Sequence, residues 1–277
     1  MDQRNGAQVT ANIVVDRSDG IVRVTLNRPQ RRNAILPEMW AELTAIFEEI
    51  EQRSTDRVAV LSGADGSFCS GADVGARWAA NSDPAAVMSP GEILAAVKRC
   101  TLALTGMSKP TVAAVDGIAA GGGCNLALAC DLVVASDRAR FSEIFVRRGL
   151  TVDTGGSWIL PRLVGSARAR RLVLLGEIIE ARTAFDLGLI THLFAVDEFD
   201  RELTAIARQL ADAPGVVLAA DKKLLAGSAS LTLQEALDRE TQAQLDMMSR
   251  PHVAEAMREF LASQPPATTA PPVANNS

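Results

Sequence analysis

The sequence predicts a mixed α/β fold in which strand–loop–helix units stack on one another, followed by an all-helical end. Two observations carry this. The apolar runs 58–61 and 111–115 each empty through a loop of small residues, Ser67-Phe-Cys-Ser-Gly-Ala-Asp73 and Gly117-Ile-Ala-Ala-Gly-Gly-Gly-Cys-Asn125, towards helical sequence. From about Pro214 onward the apolar spacing is helical throughout. The repeated order fits stacked ββα units rather than a doubly wound dinucleotide-binding sheet.

Taken in order, residues 13–15 and 21–26 flank Ser18-Asp19-Gly20 and read as a hairpin. Pro37 opens a helix that carries Met39, Trp40, Leu43, Ile46, Phe47 and Ile50 at helical spacing. Strand 58–61 follows, then a stretch of small and polar residues, 74–90, expected to be mobile beside the site. A helix over 91–106 leads to strand 111–115, and helical sequence resumes at 126–130. Residues 164–175, 181–187 and 199–212 read as helices, with strand 191–196 among them. The end is helical over 216–225, 233–248 and 251–262. The organisation expected is an N-terminal extension (1–12), a ββα core (13–200), a helical region (201–262) and a disordered Pro-, Ala- and Thr-rich tail (263–277).

Composition narrows the function classes. The chain has 277 residues, 48% of them hydrophobic and 22% charged, and a net charge of −5, which argues against a nucleic-acid binder. Cysteines 69, 100, 124 and 130 form no CxxC pair and have no histidine nearby, so no metal site or disulfide is expected and they read as small buried hydrophobes. The N-terminus is polar, and no apolar run is long enough to span a bilayer, so a cytoplasmic protein without a membrane partner is expected. Tyrosine is absent, which removes one common acid from the catalytic candidates.

The two loops carry the chemistry. A strand that passes through Gly121-Gly-Gly123 into a helix leaves unpaired N–H groups at the helix start, and glycine lets a ligand approach them. The loop ending at Asp73 offers a second N–H near Ala72. Two N–H donors from separate loops converging on one oxygen make an oxyanion hole. A glycine-rich turn alone is also just a tight helix start; the pair is far more specific.

That ordered pair resembles the crotonase superfamily, the enoyl-CoA hydratases and isomerases. The likeness runs from about Ile13 to Phe260 through Asn27-Arg-Pro29, Asn33-Ala34, Ser70-Gly-Ala-Asp73, Lys109-Pro110, Asp116-Gly117, Gly121-Gly-Gly123, Cys130-Asp131, Phe141, Gly149-Leu150, Gly155-Gly156 and Leu160-Pro-Arg162. The resemblance implies a crotonase-like ββα superhelix with a C-terminal helical trimerisation region. It implies an acyl-CoA thioester whose carbonyl sits between the N–H groups of Ala72 and Gly122. It also implies a homotrimer or dimer of trimers, and no cofactor beyond the coenzyme A carried by the substrate.

Hydratases of the family carry two glutamates, at positions that hold Asn125 and Phe145 here. Neither residue accepts a proton at neutral pH, so the pair that activates water is missing. Asp153 lies four residues after Gly149, in Gly-Leu-x-x-Asp-x-Gly-Gly-x-Trp-x-Leu-Pro-Arg. This pattern resembles the family's isomerases, that of phenylacetate degradation above all. It implies a single aspartate that takes a proton from the acyl chain and returns it elsewhere, suited to both roles by an apolar pocket that raises its pKa. The competing reading of Asp153 is an N-cap for the helix near Gly155.

Other candidates rank below it. Glu143, two residues before Phe145, is within turning reach of the pocket but reads first as a surface or capping residue, Asp131 reads as structural at a helix-to-strand junction, and His192 and His252 as solvated or interfacial. Asn125 either orients substrate or satisfies a backbone group. For coenzyme A the resemblance implies main chain at Ser70–Ala72, basic Arg28 and Arg32, and aromatic Phe260, with Ser263 where a lysine is often found. Asp73, Gly121, Phe145 and Trp158 complete the expected substrate contacts. The leading expectation is an enoyl-CoA isomerase; the alternatives are a hydratase and a catalytically silent acyl-CoA-binding protein.

Overall fold

In the computed structural model, residues 8–9, 12–73, 75, 88–251, 253, 255, 257 and 258 are described. The chain divides into two units, Met1–Ala219 and Ala220–Ser277. The first is built on a seven-stranded sheet of β1 (Gln8–Val9), β2 (Ile13–Ser18), β3 (Ile21–Leu26), β4 (Val58–Gly63), β5 (Thr111–Val115), β7 (Leu132–Ser136) and β10 (His192–Phe194), in that spatial order. β1, β2 and β3 pair antiparallel, and from β3 to β10 every pairing is parallel. A second sheet joins β6 (Ile118–Ala120), β8 (Arg140–Ser142) and β9 (Ile178–Glu180).

The apolar runs are continuous because the main sheet is covered on both faces. Ala59, Leu61, Ala113, Val115, Val133 and Ala135 enter the larger core, while Val58, Val60, Val112, Ala114 and Val134 alternate to the other face. The larger core includes Met39, Trp40, Leu43, Phe47 and Ile50 of α1 (Pro37–Gln52) and Ala96, Val97, Cys100 and Leu104 of α2 (Pro90–Gly106). α2 starts at a capping box in which Ser89 Oγ accepts from the Glu92 N–H and Glu92 Oε2 accepts from the Ser89 N–H.

Several boundaries differ from expectation. The helix after the glycines, α3, starts at Gly122 (Gly122–Leu128), so Gly122 and Gly123 belong to it and Gly121 precedes it. The helix expected over 164–175 begins at Ser166 as α5 (Ser166–Leu175), and Val164 ends a separate helix, α4 (Gly156–Val164), because Gly165 adopts φ +78° between them. α6 (Ala181–Leu187) follows as expected. α7 (Phe199–Asp212) buries Phe199, Leu203, Ala207 and Ala211 on the second face of the sheet, so the first unit runs past residue 200 to Ala219. α8 (Gly215–Gly227) reaches into the second unit, which contains α9 (Leu233–Met248) with its own capping box at Thr232 and Glu235. The helix expected over 251–262 and the tail fall largely outside the described residues, as do the N-terminal extension and most of the segment 74–90.

Candidate active site

The two loops are laced together by main-chain pairing. The loop after β4 forms one bridge to β6, where the Cys69 N–H donates to Ile118 O and the Ala120 N–H donates to Cys69 O, both 2.9 Å. On its other side it bridges Ile35: the Ile35 N–H donates to Gly71 O and the Asp73 N–H to Ile35 O, again 2.9 Å. This uses the Gly71 carbonyl and the Asp73 N–H, on either side of Ala72, so the Ala72 N–H faces away from Ile35; Ala72 lines a cavity of about 390 Å³. The Gly122 N–H, at the first residue of α3, is one of the donors no helical carbonyl can reach. A Cβ on Gly71 would lie 3.7 Å from the Gly122 nitrogen and 2.8 Å from Ala120 O, which shows how tightly the loops meet. Gly71, at φ +95°, is doubly required there.

Side chains fix the same assembly. Asn33, fully buried, accepts from the Arg28 N–H (2.9 Å) and donates to Ala64 O (2.9 Å) and Ser67 O (2.6 Å). Arg28 Nη2 meets Asp73 Oδ2 at 2.8 Å, and its Nη1 donates to Ala34 O. A Cβ on Gly123 would fall 2.5 Å from Cys69 O and 2.6 Å from its Sγ.

Asp153 faces this junction. A Cβ on Gly122 would lie 3.7 Å from Asp153 Oδ1, 3.2 Å from Thr154 Oγ1 and 3.8 Å from the Trp40 ring. Asp153 Oδ1 accepts from the Thr154 hydroxyl at 2.7 Å. Burial raises its pKa above the ordinary carboxylate value, and the Thr154 bond partly opposes this. Helix capping is excluded: α4 begins at Gly156 behind Gly155 in the left-handed region, with no side-chain cap, and it is the main-chain oxygen of Asp153 that accepts from Gly156.

The cavity is otherwise mostly apolar, lined by Ile35, Trp40, Ile93, Leu94, Val97, Ile144, Phe145 and Leu150 among others, with Ser70, Arg148 and Thr151 also on its wall. Its two carboxylates are Asp73, held by Arg28, and Asp153. Behind its wall lies Asn125, fully buried, whose Nδ2 donates to Asp153 O (2.9 Å) and to Glu143 Oε2 (3.2 Å). Glu143 is 3% exposed, and burial pushes its pKa up to about 7, with the nearby Asp153 charge adding to the effect.

The structure brings together Ser70, Ala72, Asp73, Gly121, Gly122, Phe145 and Asp153 around one cavity. It corrects four expectations. Asn125 serves the backbone behind the wall rather than lining the cavity. Trp158 sits on α4 at 54% exposure with the Arg162 guanidinium 3.8 Å from its ring centre, away from the cavity. Arg28 is engaged as an internal tie. Glu143 is neither a surface nor a capping residue but a second buried acid beside Asp153, so that aspartate does not stand alone. Arg32 is exposed outside the cavity lining; its carbonyl accepts from the Ser70 N–H at 3.0 Å. Phe260 and His252 lie outside the described residues. Asp131 is structural, its Oδ2 accepting from the Thr111 N–H and hydroxyl. Trp40 and Thr154 were missed: helical spacing marks Trp40 only as core, and nothing local marks Thr154, which adopts φ +51°.

Main-chain donors at the end of an apolar cavity, with a carboxyl beside them, define an enzyme that stabilises a carbonyl oxygen while a proton moves. The chain matches the enoyl-CoA hydratase/isomerase family model over residues 16–269 and belongs to that family. It is 35% identical over 255 residues to 1,2-epoxyphenylacetyl-CoA isomerase of Escherichia coli, covering 90% of this chain and 95% of the relative. It is 34% identical over 235 residues to 2,3-dehydroadipyl-CoA hydratase of the same species, covering 84% and 88%. The crystal structure of an enoyl-CoA hydratase from Mycobacterium smegmatis superposes with a TM-score of 0.84 at 29% identity, covering 93% of this chain and 98% of that one. The protein is an acyl-CoA enzyme with the crotonase fold.

Proposed function

We propose that the protein is an enoyl-CoA isomerase in which Asp153 moves the proton. The observation that carries this is the position of the Asp153 carboxyl, close to the Gly122 donor, in a cavity whose other carboxylate is paired with Arg28. With the thioester oxygen at the Ala72 and Gly122 N–H groups, Asp153 takes a proton from the acyl chain. The C–H electron pair enters the conjugated system and its charge rests on the oxygen as an enolate. The Asp153 acid then returns the proton to a different carbon, and the double bond has moved with no change in composition. Burial, by raising the carboxyl's pKa, suits it to both halves of the cycle.

Phe145 lies in the cavity and Asn125 behind it, so neither position offers the carboxylate that hydration would require. Similarity to an epoxyphenylacetyl-CoA isomerase supports the reading. Within it, coenzyme A enters as part of the substrate, Ser70 and Arg32 stand on its side of the site, and the chain works as a trimer or dimer of trimers in the cytoplasm.

Asp153→Asn is the test. It is expected to lower kcat on a 3-enoyl-CoA by about 10²–10⁴-fold while leaving the unfolding midpoint little changed. Because Asp153 acts first as a base, parental activity should rise with pH through a value above the ordinary aspartate range. Turnover by the variant equal to the parent, or faster addition of water to crotonyl-CoA than isomerisation, overturns the assignment.

A further inference from the structure

Among the described residues, the buried side-chain oxygens and nitrogens without a hydrogen-bond partner are Asn125 Oδ1 and Glu143 Oε1. They belong to two side chains already joined by Asn125 Nδ2 to Glu143 Oε2 at 3.2 Å. An ionised carboxylate only accepts, so it leaves the Asn125 oxygen unsatisfied; a proton on Glu143 Oε1 turns it into a donor that suits the amide oxygen. The neutral acid then brings a donor to the side chain whose Nδ2 it already accepts from. The surroundings favour the neutral form. A void of about 10 Å³ beside Glu143 is walled by Phe141, Leu160, Leu172, Ile179 and Leu189, none of them charged. Burial outweighs the hydrogen bonds from Asn125 and the Cys124 thiol, which oppose it; the ionisable groups facing Glu143 are that thiol, held protonated, and Asp153, which adds to the effect.

We propose that Glu143 is a positioning residue for Asp153: it stands behind the site as a neutral carboxylic acid paired with Asn125, whose amide holds the Asp153 carbonyl. The inference rests on Asp153 as the proton mover for its kinetic part only. Asn125 Nδ2 gives one hydrogen to each partner, 3.2 Å to Glu143 and 2.9 Å to Asp153 O, so turning the amide at one end moves the other. The main chain it holds continues into Thr154, at φ +51°, and Gly155, at φ +80°, a conformation that outside support must maintain. When Asp153 carries charge, a second charge on Glu143 is disfavoured, so the two acids titrate as a pair.

Infrared spectroscopy of the full chain tests the protonation directly. The parent should show a protonated-carboxyl band at pH 6 that vanishes as pH rises through about 7. Glu143→Gln should lack it; Asp153→Asn should keep it with a lower midpoint, because the neighbouring charge is gone. Absence of the band from the parent at pH 6, or an unshifted midpoint in Asp153→Asn, overturns the proposal. Kinetics test the positioning. Glu143→Leu, which leaves Asn125 without its partner, should lower kcat about 10-fold or more with KM nearly constant, whereas Glu143→Gln should restore it to within about 3-fold. Equal kcat for Glu143→Leu and parent overturns the positioning role. A parent with no isomerase turnover overturns the proposed reaction, while the spectroscopic outcomes still decide the state of Glu143.

Discussion

Burying Glu143 has a cost that depends on pH. Its carboxyl holds the proton up to about 7 in the folded protein against 4.5 ordinarily, so between these values the folded state binds more protons than the unfolded chain. Stability therefore falls as pH rises from 4.5 through 7 and levels off above, a loss of about 3 kcal/mol at most. Glutamine does not titrate. Urea unfolding of parent and Glu143→Gln should accordingly show the variant gaining on the parent by up to about that amount between pH 4.5 and 8; a constant difference contradicts the linkage. This residue marks where sequence reading stops. Asp153 drew attention through resemblance, because Gly149, Gly155 and Gly156 set it in the pattern of the family's isomerases. Glu143 ranked below it, because it follows a strand of three residues and precedes the 3-10 turn Ile144–Arg148, where no periodicity fixes the side-chain direction.

Elements explain why the loops were easier to read than their supports. Glycines 71, 121, 122 and 123 announce close approach, and the structure meets each with an atom that a Cβ would touch or crowd. Arg28 announces only positive charge, which fits a phosphate contact as well as an internal tie. Its salt bridge to Asp73 and bond to Ala34 O join the segment after β3 to the loop that presents Ala72. That tie is a claim about positioning, and it separates from phosphate binding by substrate. Arg28→Met should lower kcat about 10-fold on acyl-CoA and acyl-pantetheine alike, since both need the Ala72 donor held in place. A rise in KM confined to the CoA ester would return Arg28 to the phosphates. Trp158 illustrates the opposite error: in Trp158-Ile-Leu160 the helix phase buries Ile159 and Leu160 and leaves the indole outside.

For the whole molecule, β2 to β5, β10 and the meeting of the loops followed from apolar runs and glycine spacing, because burial on both faces of a parallel sheet leaves a continuous signature, whereas β7 and the three-residue strands β6, β8 and β9 were not read from the sequence. Assembly leaves a weaker one, and α9 carries it. Leu233, Leu237, Leu245 and Met248 are between 47% and 76% exposed on a helix whose other positions are mostly polar. At 3.6 residues per turn these four fall within one sector of about 120°, the width of a helix face that packs. Covering them with a second copy of the chain contributes about 1.5–3 kcal/mol for each side chain fully buried, which works against the cost of association. The parent is therefore expected to sediment as a trimer or a multiple of it, and Leu233→Glu with Leu245→Glu to shift it towards single chains. The secondary structure should survive in the variant, because both positions are exposed within the chain and the Thr232–Glu235 cap is untouched. A parent that sediments as one chain, or a double variant that stays assembled, shows that this stripe does not join subunits.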